Sequence, residues 1–594
     1  MCGFCGWILK TEKNSDFLVS GLRSIKHRGP DDTLIAIGDI QPAVYSSELS
    51  NPFTKTTHPL INKQLSKTCF GFNRLSIVDL SNNAMQPFLN KEQDLLFMMN
   101  GEIYNYSELK NEYLSYVQFN SGSDSEVAFH LYKKFGNSFI DKLKGMFSIV
   151  IYNYKTQTLS VWRDRLGIKP FYYTITDQGF FFSSEMKGLF AMQLKKELNY
   201  SGLAYSMYLG TCPSPLTIYQ NIFSLQAGHY LEYSNKTQQI VLQNYWHLKY
   251  IENHDPIDST SFYRDIENIC SLYATGQVDK AIMLSGGIDS GTLAYFYGKQ
   301  SDDIEAIHIH TDKPDSEYAF AQHNAQNAGI SINNYCISQK FSPSEVEFFL
   351  NSEEEPNSCP EPALFLCAKI ANKKIKVLYN ALGPDEIFGG YAYYQQINKL
   401  SKYPFTIAFL RFIAPKRIKH KVEEIKNYGL DAFPFIARQL FTWNEVKNFL
   451  IKNNQPIPEH PIQFIKNQIL EIYPEFTQIP LLKKASYYDI FYYIASHHTF
   501  RCDQPSMRYS IEMRFPFLEH TFIEKYFNQS NTFNLIHKNL KPEFRKHLKP
   551  ILSPEIFTMK KSGFTIPIEQ ELVETKNVNK NKQWYLLMLE KIKR

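Results

Sequence analysis

The feature that most constrains the fold is a change in the pattern of apolar residues along the chain. Up to about residue 190 the apolar runs are short and β-rich, as at 95–99, 147–152 and 180–183, and Gly, Asn and Asp turn signals separate them. After about residue 256 strand-like runs alternate with helical stretches, beginning at 281–284 and 305–311. The first pattern predicts an antiparallel, sheet-rich domain, and the second predicts a parallel α/β sheet.

This change divides the chain into domains. A chain of 594 residues is too long for one hydrophobic core. We therefore expect an α+β domain at 2–200, a connecting segment at 201–255 and an α/β domain at 256–594. Beyond about residue 400 the apolar spacing is helical, which predicts added helices packed around the parallel sheet.

Composition argues against several classes of protein. Hydrophobic residues make up 43 % and charged residues 21 % of the chain, which is typical of a soluble globular protein. A net charge of +5 over 594 residues is too weak to indicate nucleic-acid binding. No run approaches the roughly 18 consecutive apolar residues of a transmembrane helix, and the first residues lack the pattern of a signal peptide. Nine scattered cysteines form no disulfide framework, so we expect a cytoplasmic protein.

Cys2, directly after Met1, is a candidate nucleophile. If Met1 is removed, Cys2 carries a thiol and a free α-amine, whose pKa near ~8 leaves part of it neutral and able to take the thiol proton. Pairing a nucleophile with its own terminal amine is an established way to activate it. Cys2 and Cys5 also form a Cys-x-x-Cys pair, but a zinc site needs a second pair of ligands, so we do not expect a metal there.

A second chemical centre is predicted at 285–290, Ser-Gly-Gly-Ile-Asp-Ser, directly after the strand at 281–284. The glycines let the backbone approach a ligand closely, and the N–H groups at the start of the following helix favour an anion. Asp289 would repel a bare phosphate, so its position makes sense if Mg²⁺ lies between the carboxylate and the phosphate. The segment is not a Walker A loop, because it lacks Gly-Lys-Ser/Thr.

The segment 383–391, Gly-Pro-Asp-Glu-Ile-Phe-Gly-Gly-Tyr, also follows a predicted strand, at 374–379. Folds of the α/β class place ligand chemistry at the carboxyl ends of their strands. Asp385 is therefore a candidate second ligand of Mg²⁺. The alternative is that Asp385 and Glu386 only cap the following helix.

These segments together resemble the glutamine-hydrolysing asparagine synthetase family, in the family's order, from residue 2 to about residue 567. The first part is similar to the class II glutamine amidotransferase domain, an antiparallel sandwich of the N-terminal nucleophile type. It carries MCG at 1–3, HRGPD at 27–31, NRLSIVD at 73–79, NGEIYN at 100–105, SDSE at 123–126 and RDRLG at 163–167. The second part is similar to the family's ATP-pyrophosphatase synthetase domain, with SGGIDS at 285–290, DEIFGGY at 385–391, DQPSM at 503–507 and IEMRFPFLEH at 511–520.

For the first domain the resemblance implies a glutaminase. Cys2 would attack the glutamine amide, form a thioester and release ammonia. Asn100 and the N–H of Gly101 would form the oxyanion hole, aimed at the charge of the tetrahedral intermediate. Arg74 would hold the glutamine carboxylate with its planar fork of donors. The other implied glutamine-binding residues are Ile77, Val78, Asn100 and, for the α-ammonium, Glu102 and Asp124.

For the second domain the resemblance implies ATP-dependent amide formation. A carboxylate, aspartate in the family, would be adenylated, and ammonia would cross an internal tunnel and displace AMP. Lys561 aligns with a family lysine that stabilises phosphate charge in this step. The implied partners are small molecules, and a homodimer is compatible with the resemblance. The implied Mg²⁺ ligands are Asp289 and Asp385, and the implied ATP-binding residues are Leu284, Ser285, Gly286, Gly287, Asp289, Ser290, Ile309, Asn380 and Ala381.

Leu382 departs from the family pattern. It stands in Asn-Ala-Leu-Gly-Pro-Asp-Glu at 380–386, where the family usually has Ser-Gly-Glu-Gly-Ser-Asp-Glu and a Glu implicated in the attack of ammonia. Either Glu354 or Glu355 takes over that role, or the acceptor is another carboxylate, such as a uronic acid of a surface polysaccharide or a peptide side chain. A catalytically inactive regulator is disfavoured, because the implied catalytic residues are present. Met559 also stands where the family often has Arg.

The segment 399–426 is rich in Lys and Arg, with phenylalanines among them. We predict that it presents a solvated helix face. The alternative is a surface for an anionic substrate or for membrane lipid.

Overall fold

A computed structural model describes residues 2–301, 303–311, 316–337, 342–357, 369, 374–403, 415–533, 540–558 and 580–593. Within these residues the chain forms two antiparallel sheets, followed along the chain by one parallel sheet. This confirms the predicted fold class, an α+β first domain followed by an α/β second domain with added helices.

The first domain is a sandwich of two antiparallel sheets with a few helices on its outer faces. Its helices are α1 (Asp16–Ser24), α2 (Pro52–Thr57), α3 (Tyr106–Tyr113), α4 (Asp124–Phe135), α5 (Met186–Ala191) and α6 (Tyr200–Leu209). Its strands are β1 (Gly3–Asn14), β2 (Asp32–Ile37), β3 (Ala43–Tyr45), β4 (Leu65–Arg74), β5 (Phe88–Leu89), β6 (Leu95–Ile103), β7 (Gly145–Asn153), β8 (Thr158–Arg163), β9 (Tyr172–Thr176), β10 (Gly179–Ser183), β11 (Phe223–Ser224), β12 (His229–Ser234) and β13 (Gln239–Asn244).

The strand orders are β11-β9-β10-β1-β4-β2-β3 in one sheet and β13-β12-β8-β7-β6-β5 in the other. The segment 201–255 thus contributes a strand at the edge of the first sheet and two to the second. Phe4 and Phe70 of one sheet share an apolar cluster with Met98 and Val150 of the other, and each is fully buried. The two sheets therefore pack face to face over a shared apolar layer.

The alternation of side chains along a strand separates the two cysteines near the start of the chain. Successive residues of a strand point to opposite faces, so positions three apart do not share a face. Cys2 belongs to the cluster between the sheets, whereas Cys5 joins Leu18 of α1 and Leu189 of α5 on the outer face. The Sγ atom of Cys5 lies 3.2 Å from Ser183 Oγ. The pair therefore cannot chelate one metal ion.

The second domain is built on a parallel sheet with helices around it. Its strands are β14 (Lys280–Met283), β15 (Glu305–Thr311), β16 (Ser331–Ile337), β17 (Val377–Tyr379) and β18 (Glu512–Arg514), in the order β16-β15-β14-β17-β18. Its helices are α7 (Ser259–Tyr273), α8 (Ile288–Gly298), α9 (Ser316–Ala328), α10 (Pro343–Ser352), α11 (Pro384–Phe388), α12 (Ala392–Lys402), α13 (Lys416–Tyr428), α14 (Phe433–Arg438), α15 (Trp443–Lys452), α16 (Pro461–Ile472), α17 (Leu481–Tyr488), a π-helix (Asp489–His498), α18 (Thr499–Arg508), α19 (His520–Asn528), α20 (Pro542–Leu548) and α21 (Lys580–Lys593).

The sheet order explains how distant segments come together. Strand β14 lies between β15 and β17, and all the pairings in this sheet are parallel. The loops that follow β14 and β17 therefore leave the same edge of the sheet, side by side. Among the described residues, no helix has the length and apolar character needed to cross a bilayer.

Candidate active sites

Cys2 lies directly before β1, in the wall of a cleft of the first domain. The same cleft is lined by residues 74–79, Gln86 and Gly101. The N–H of Leu75 is 3.5 Å from Cys2 Sγ. Burial raises the pKa of the thiol, although this N–H and the charge of Arg74 act in the opposite direction. Burial thus disfavours the thiolate, and the α-amine of a processed Cys2 would suit the role of the base that takes the thiol proton.

Asn100, on β6, lies beside Cys2 and is fully buried. Its Oδ1 accepts a hydrogen bond from the backbone nitrogen of Cys2 at 3.0 Å. This contact fixes the orientation of the side-chain amide. Its Nδ2 atom has no hydrogen-bond partner in the described part of the chain. Gly101 follows in the cleft wall. A buried, unused N–H donor beside a nucleophile fits the predicted oxyanion hole.

Arg74 ends β4 and borders the same cleft. Its guanidinium donates to the carbonyl of Ser81 at 2.6 Å and to the carbonyl of Asp79. The carboxylate of Asp79 in turn accepts from the backbone nitrogens of Ser81 and Gly122, each at 2.7 Å. These bonds fix the loop that carries Ile77 and Val78 into the cleft wall. They use two of the five guanidinium donors.

Two carboxyl groups, Glu102 and Asp124, line the cleft. Asp124 begins α4, and its Oδ2 accepts from the backbone nitrogen of Ile103 at 2.7 Å. Burial raises the pKa of Asp124 to about 6. Burial and repulsion from Glu512 and Asp124 raise the pKa of Glu102 well above its ordinary value. A cation bound here would relieve both effects, so the pair suits an ammonium group.

The second site begins at the loop between β14 and α8. Ser285 Oγ accepts from the backbone nitrogen of Gly287 at 3.1 Å and lies 2.9 Å from Ser290 Oγ. The side-chain amide of Asn324 donates to the carbonyl of Ser285 at 3.1 Å. This internal bonding holds a glycine-rich turn open at the start of a helix, with Asp289 in its first turn. Gly286 and Gly287 form the turn, and its binding of an anion stays a prediction.

Asp289 and Asp385 converge on one side chain, Lys541. The Nζ atom of Lys541 is 2.8 Å from Asp385 Oδ1 and is also ion-paired with Asp289. A Cβ atom at Gly390 would overlap both Asp385 and Lys541, so this glycine makes room for the pair. Burial disfavours the charge of Lys541, but the two aspartates outweigh it and raise its pKa. The two predicted metal ligands therefore lie on either side of one cation.

No sequence pattern identifies Lys541 as part of this site. It precedes Pro542, which starts α20, and its φ of 53° is in the left-handed region that side chains rarely adopt. A Pro at the first helical position is a recognisable signal of a helix start. No local pattern, however, ties this residue to two aspartates that lie more than 150 positions earlier.

The other predicted nucleotide-binding residues lie on neighbouring strands. Leu284 and Ile309 are buried after β14 and within β15, and the backbone nitrogen of Leu284 donates to Ile307 at 2.9 Å. Asn380 and Ala381 follow β17, and the nitrogen of Asn380 donates to the carbonyl of Arg514 at 2.9 Å. Lys561 and Met559 lie outside the described residues.

Glu354 and Glu355 are engaged with residues of the first domain and the connecting segment. Glu354 accepts from the backbone nitrogens of Met186, at 3.0 Å, and Lys187, at 2.6 Å. Glu355 accepts from the nitrogen of Ile218 at 3.2 Å. Burial raises the pKa of Glu354 to about 7 and that of Glu355 to about 8. These carboxyl groups join the domains, which weakens their candidacy as replacements for the Glu that Leu382 displaces.

The basic segment 399–426 is described in part, because 404–414 lie outside the described residues. In the described part Lys402, Lys419 and Lys426 are exposed, as expected for a solvated helix face. Across the described ranges, no three His, Cys, Asp or Glu side chains gather in a metal-binding arrangement.

Family models match both parts of the chain. A family model described as a glutamine amidotransferase domain matches residues 60–246, and one described as asparagine synthase matches residues 272–586. Glutamine-hydrolysing asparagine synthetase 2 of Bacillus subtilis is 31 % identical over 426 residues, which cover 66 % of this chain and 52 % of that protein. The match thus spans about half the length of this relative.

Two longer matches cover most of both partners. Glutamine-hydrolysing asparagine synthetase 1 of Bacillus subtilis is 25 % identical over 97 % of this chain and 89 % of its own length. A Gibberella zeae protein named amidase chry2 is 24 % identical over 84 % of this chain and 80 % of its own length. Because the asparagine synthase model alone matches more than half of the residues, this chain belongs to the asparagine synthase family and carries a glutamine amidotransferase domain ahead of its synthase domain.

Proposed function

We propose that the protein makes asparagine from aspartate, glutamine and ATP, through an aspartyl-adenylate that ammonia from glutamine attacks. The observation that carries this proposal is the pairing of two centres in one chain. Cys2 lies beside the unused amide donor of Asn100 in the first domain. Asp289 and Asp385 meet beside a glycine-rich helix start in the second.

In the first domain Cys2 is the nucleophile. Its α-amine takes the thiol proton as sulfur bonds to the amide carbon of glutamine, and the carbonyl electrons move onto the oxygen. Asn100 Nδ2 and the Gly101 N–H stabilise that oxyanion. Collapse of the intermediate expels ammonia, which takes up the proton, and water then hydrolyses the thioester to glutamate. Arg74 binds the α-carboxylate of glutamine, while Glu102 and Asp124 bind its α-ammonium.

In the second domain the backbone of 285–290 binds the phosphates of ATP. The residues fit a Mg²⁺ ion, because two carboxylates converge on a cation, Lys541, and oxygen ligands suit Mg²⁺. Asp289 and Asp385 would hold the ion, which neutralises phosphate charge when bound. Lys541 then faces the leaving pyrophosphate as a further cation. The carboxylate of aspartate attacks the α-phosphorus, pyrophosphate leaves, and ammonia afterwards displaces AMP.

A second candidate function is the same chemistry on another carboxylate. Leu382 favours it, because an apolar side chain can neither accept a proton nor bind ammonium at that position. The bonds of Glu354 to Met186 and Lys187 favour it as well, since that carboxylate is already engaged. A relative named as an amidase matches most of the chain, so the family is not confined to proteins named asparagine synthetase.

Two variants separate the proposed centres. Cys2→Ala should abolish glutamine hydrolysis and glutamine-dependent synthesis but keep synthesis from added ammonia. Asp289→Asn should abolish both syntheses and keep glutamine hydrolysis. Cys5→Ala, on the opposite face of β1, is the matched control and should keep every activity. Glutamate release and pyrophosphate release measure the two half-reactions, and glutamine hydrolysis by Cys2→Ala would contradict the nucleophile assignment.

A further inference from the structure

The glutamine cleft is completed by residues of the second domain. The carbonyl of Ile77, in the cleft wall, accepts from the backbone nitrogen of Gln277 at 2.8 Å. Lys376 pairs with Asp31 at 3.1 Å, and Asp31 in turn accepts from the backbone nitrogen of Ser76 at 2.8 Å. The segments that carry Gln277 and Lys376 lead directly into β14 and β17. The loop beside Cys2 is thus fixed from outside its own domain.

Arg514 makes a third contact from the second domain to the cleft, and this contact is also between charged groups. The side chain is fully buried at the end of β18. Its Nε lies 2.6 Å from Glu512 Oε1, and its Nη1 donates to the carbonyls of Tyr273 and Thr275 at 2.7 and 2.6 Å. These bonds hold the guanidinium in one orientation. Its Nη2 then points across the domain boundary and lies 3.9 Å from Glu102 Oε2.

Neither Arg514 Nη2 nor Glu102 Oε2 makes a hydrogen bond within the part of the chain that is described, and both are buried. Aromatic rings close this space, because Tyr104 stacks on Tyr273 at 3.9 Å and the guanidinium lies 5.3 Å from the Tyr104 ring. Because both groups are buried, a charge 3.9 Å from the Glu102 carboxyl group acts on it far more strongly than it would in water.

We propose that Arg514 is a positioning residue of the glutaminase: it directs the Glu102 carboxyl group into the cleft and offsets part of the repulsion from the neighbouring acids, so that glutamine recognition depends on the docked second domain. The inference rests on the proposed glutaminase function, and it assigns to that site a residue from the other domain. Arg514 does not touch glutamine in this account. It acts through Glu102, whose carboxylate binds the α-ammonium.

The charged groups around Glu102 determine which measurement can detect this role of Arg514. Glu512 and Asp124 face it as acids, Tyr104 and Tyr106 as phenols, and Arg514 as the cation. Cys2 adds its α-amine after processing. Burial, Glu512 and Asp124 raise the pKa of Glu102, and Arg514 opposes them. Since ammonium binding needs the ionised carboxylate, KM for glutamine should fall as pH rises.

The test compares Arg514→Met with Glu512→Gln in the full-length protein. We expect Arg514→Met to raise KM for glutamine on the order of tenfold at pH 7, because one pKa unit changes the ionised fraction tenfold, with kcat changed much less. Its KM should recover at higher pH. Glu512→Gln removes a repelling charge and should shift the fall in KM to lower pH. Arg514→Lys, which keeps the charge, should restore part of the affinity.

A purely structural role predicts a different outcome. Both Arg514→Met and Glu512→Gln remove the same buried ion pair, so packing damage alone would move KM in the same direction in both variants. That result, or an unchanged pH profile in both, would overturn the inference. Glutaramate, which lacks the α-amino group, gives a second readout, because Arg514→Met should lose discrimination between it and glutamine. A wild-type protein that hydrolyses no glutamine would instead contradict the proposed function itself.

Discussion

At the scale of single residues, a few charged contacts bring together side chains that are far apart along the chain. Lys541 lies between Asp289 and Asp385, and the space for it depends on Gly390 having no side chain. Without the lysine, the two carboxylates would face each other with no cation between them. Removing one partner of such a cluster costs more than the cluster contributes, because the remaining charges stay partly desolvated.

Lys541→Met should abolish pyrophosphate release and leave glutamine hydrolysis intact. In the absence of Mg²⁺ it should lower the free energy of unfolding by about 2 kcal/mol, less than for a fully buried pair because the aspartates are partly exposed. Added Mg²⁺ should restore part of that loss. Urea unfolding with and without Mg²⁺ measures this, with Lys546→Met, at an exposed position of α20, as the control. Equal stability of the two variants would contradict the placement of Lys541.

The sequence was informative about residues where the chemistry is local. Cys2 could be proposed from its position after Met1, and the loop at 285–290 from its glycines after an apolar strand. The contacts of Lys541 and Arg514 could not be predicted in this way. Both depend on side chains that only the folded chain brings within reach, and neither leaves a periodic pattern.

At the scale of elements, the strands position the reactive groups. Strand β6 pairs with β7 so that Gly101 lies opposite Phe147 and next to the Met146 carbonyl. A side chain at Gly101 would strike that carbonyl oxygen. The backbone of the predicted oxyanion hole therefore tolerates no Cβ atom.

Gly101→Ala should separate β6 from β7 locally and reduce kcat/KM for glutamine by about 100-fold, the effect of losing one oxyanion-hole donor. Gly122→Ala is the matched control, because its Cβ would meet nothing closer than 3.6 Å. Steady-state glutaminase assays compare the two. Full activity of Gly101→Ala would show that the N–H of this residue takes no part in the reaction. Ammonia-dependent synthesis should be unchanged in both variants.

Strands were predictable where apolar residues form short runs between turn signals. The runs at 147–152 and 305–311 lie within β7 and β15. The order of the strands was not predictable from such runs, because it depends on pairing between segments far apart. Strands β14 and β17 are neighbours in the sheet, and their pairing brings Asp289 and Asp385 together. Along the chain, however, the two strands are nearly a hundred residues apart.

At the scale of the whole molecule, buried acids lie where the domains meet. Burial against the connecting segment raises the pKa of Glu355 to about 8, from an ordinary value of 4.5. The folded protein therefore keeps a proton that the unfolded chain releases between these values. Its contribution to stability is full below pH 4.5 and is lost as pH rises towards 8.

Glu355→Gln should flatten the dependence of stability on pH. In the wild type, ionisation of Glu355 alone should lower the free energy of unfolding by at most about 4 kcal/mol between pH 5 and pH 8. The amide of the Gln variant cannot titrate, so this loss should be absent. Thermal melts across that range measure the difference between the two proteins. Glu347→Gln, an exposed position on α10, should follow the wild type. Parallel curves for Glu355→Gln and the wild type would contradict the buried, protonated state.

The central claim is that the second domain activates aspartate. The most direct test is pyrophosphate release from ATP with Mg²⁺ and glutamine, measured with and without aspartate, while mass spectrometry follows asparagine. We predict aspartate-dependent pyrophosphate with one asparagine formed for each pyrophosphate. Glutamine hydrolysis without any aspartate-dependent pyrophosphate would contradict the claim and assign the same two centres to another carboxylate.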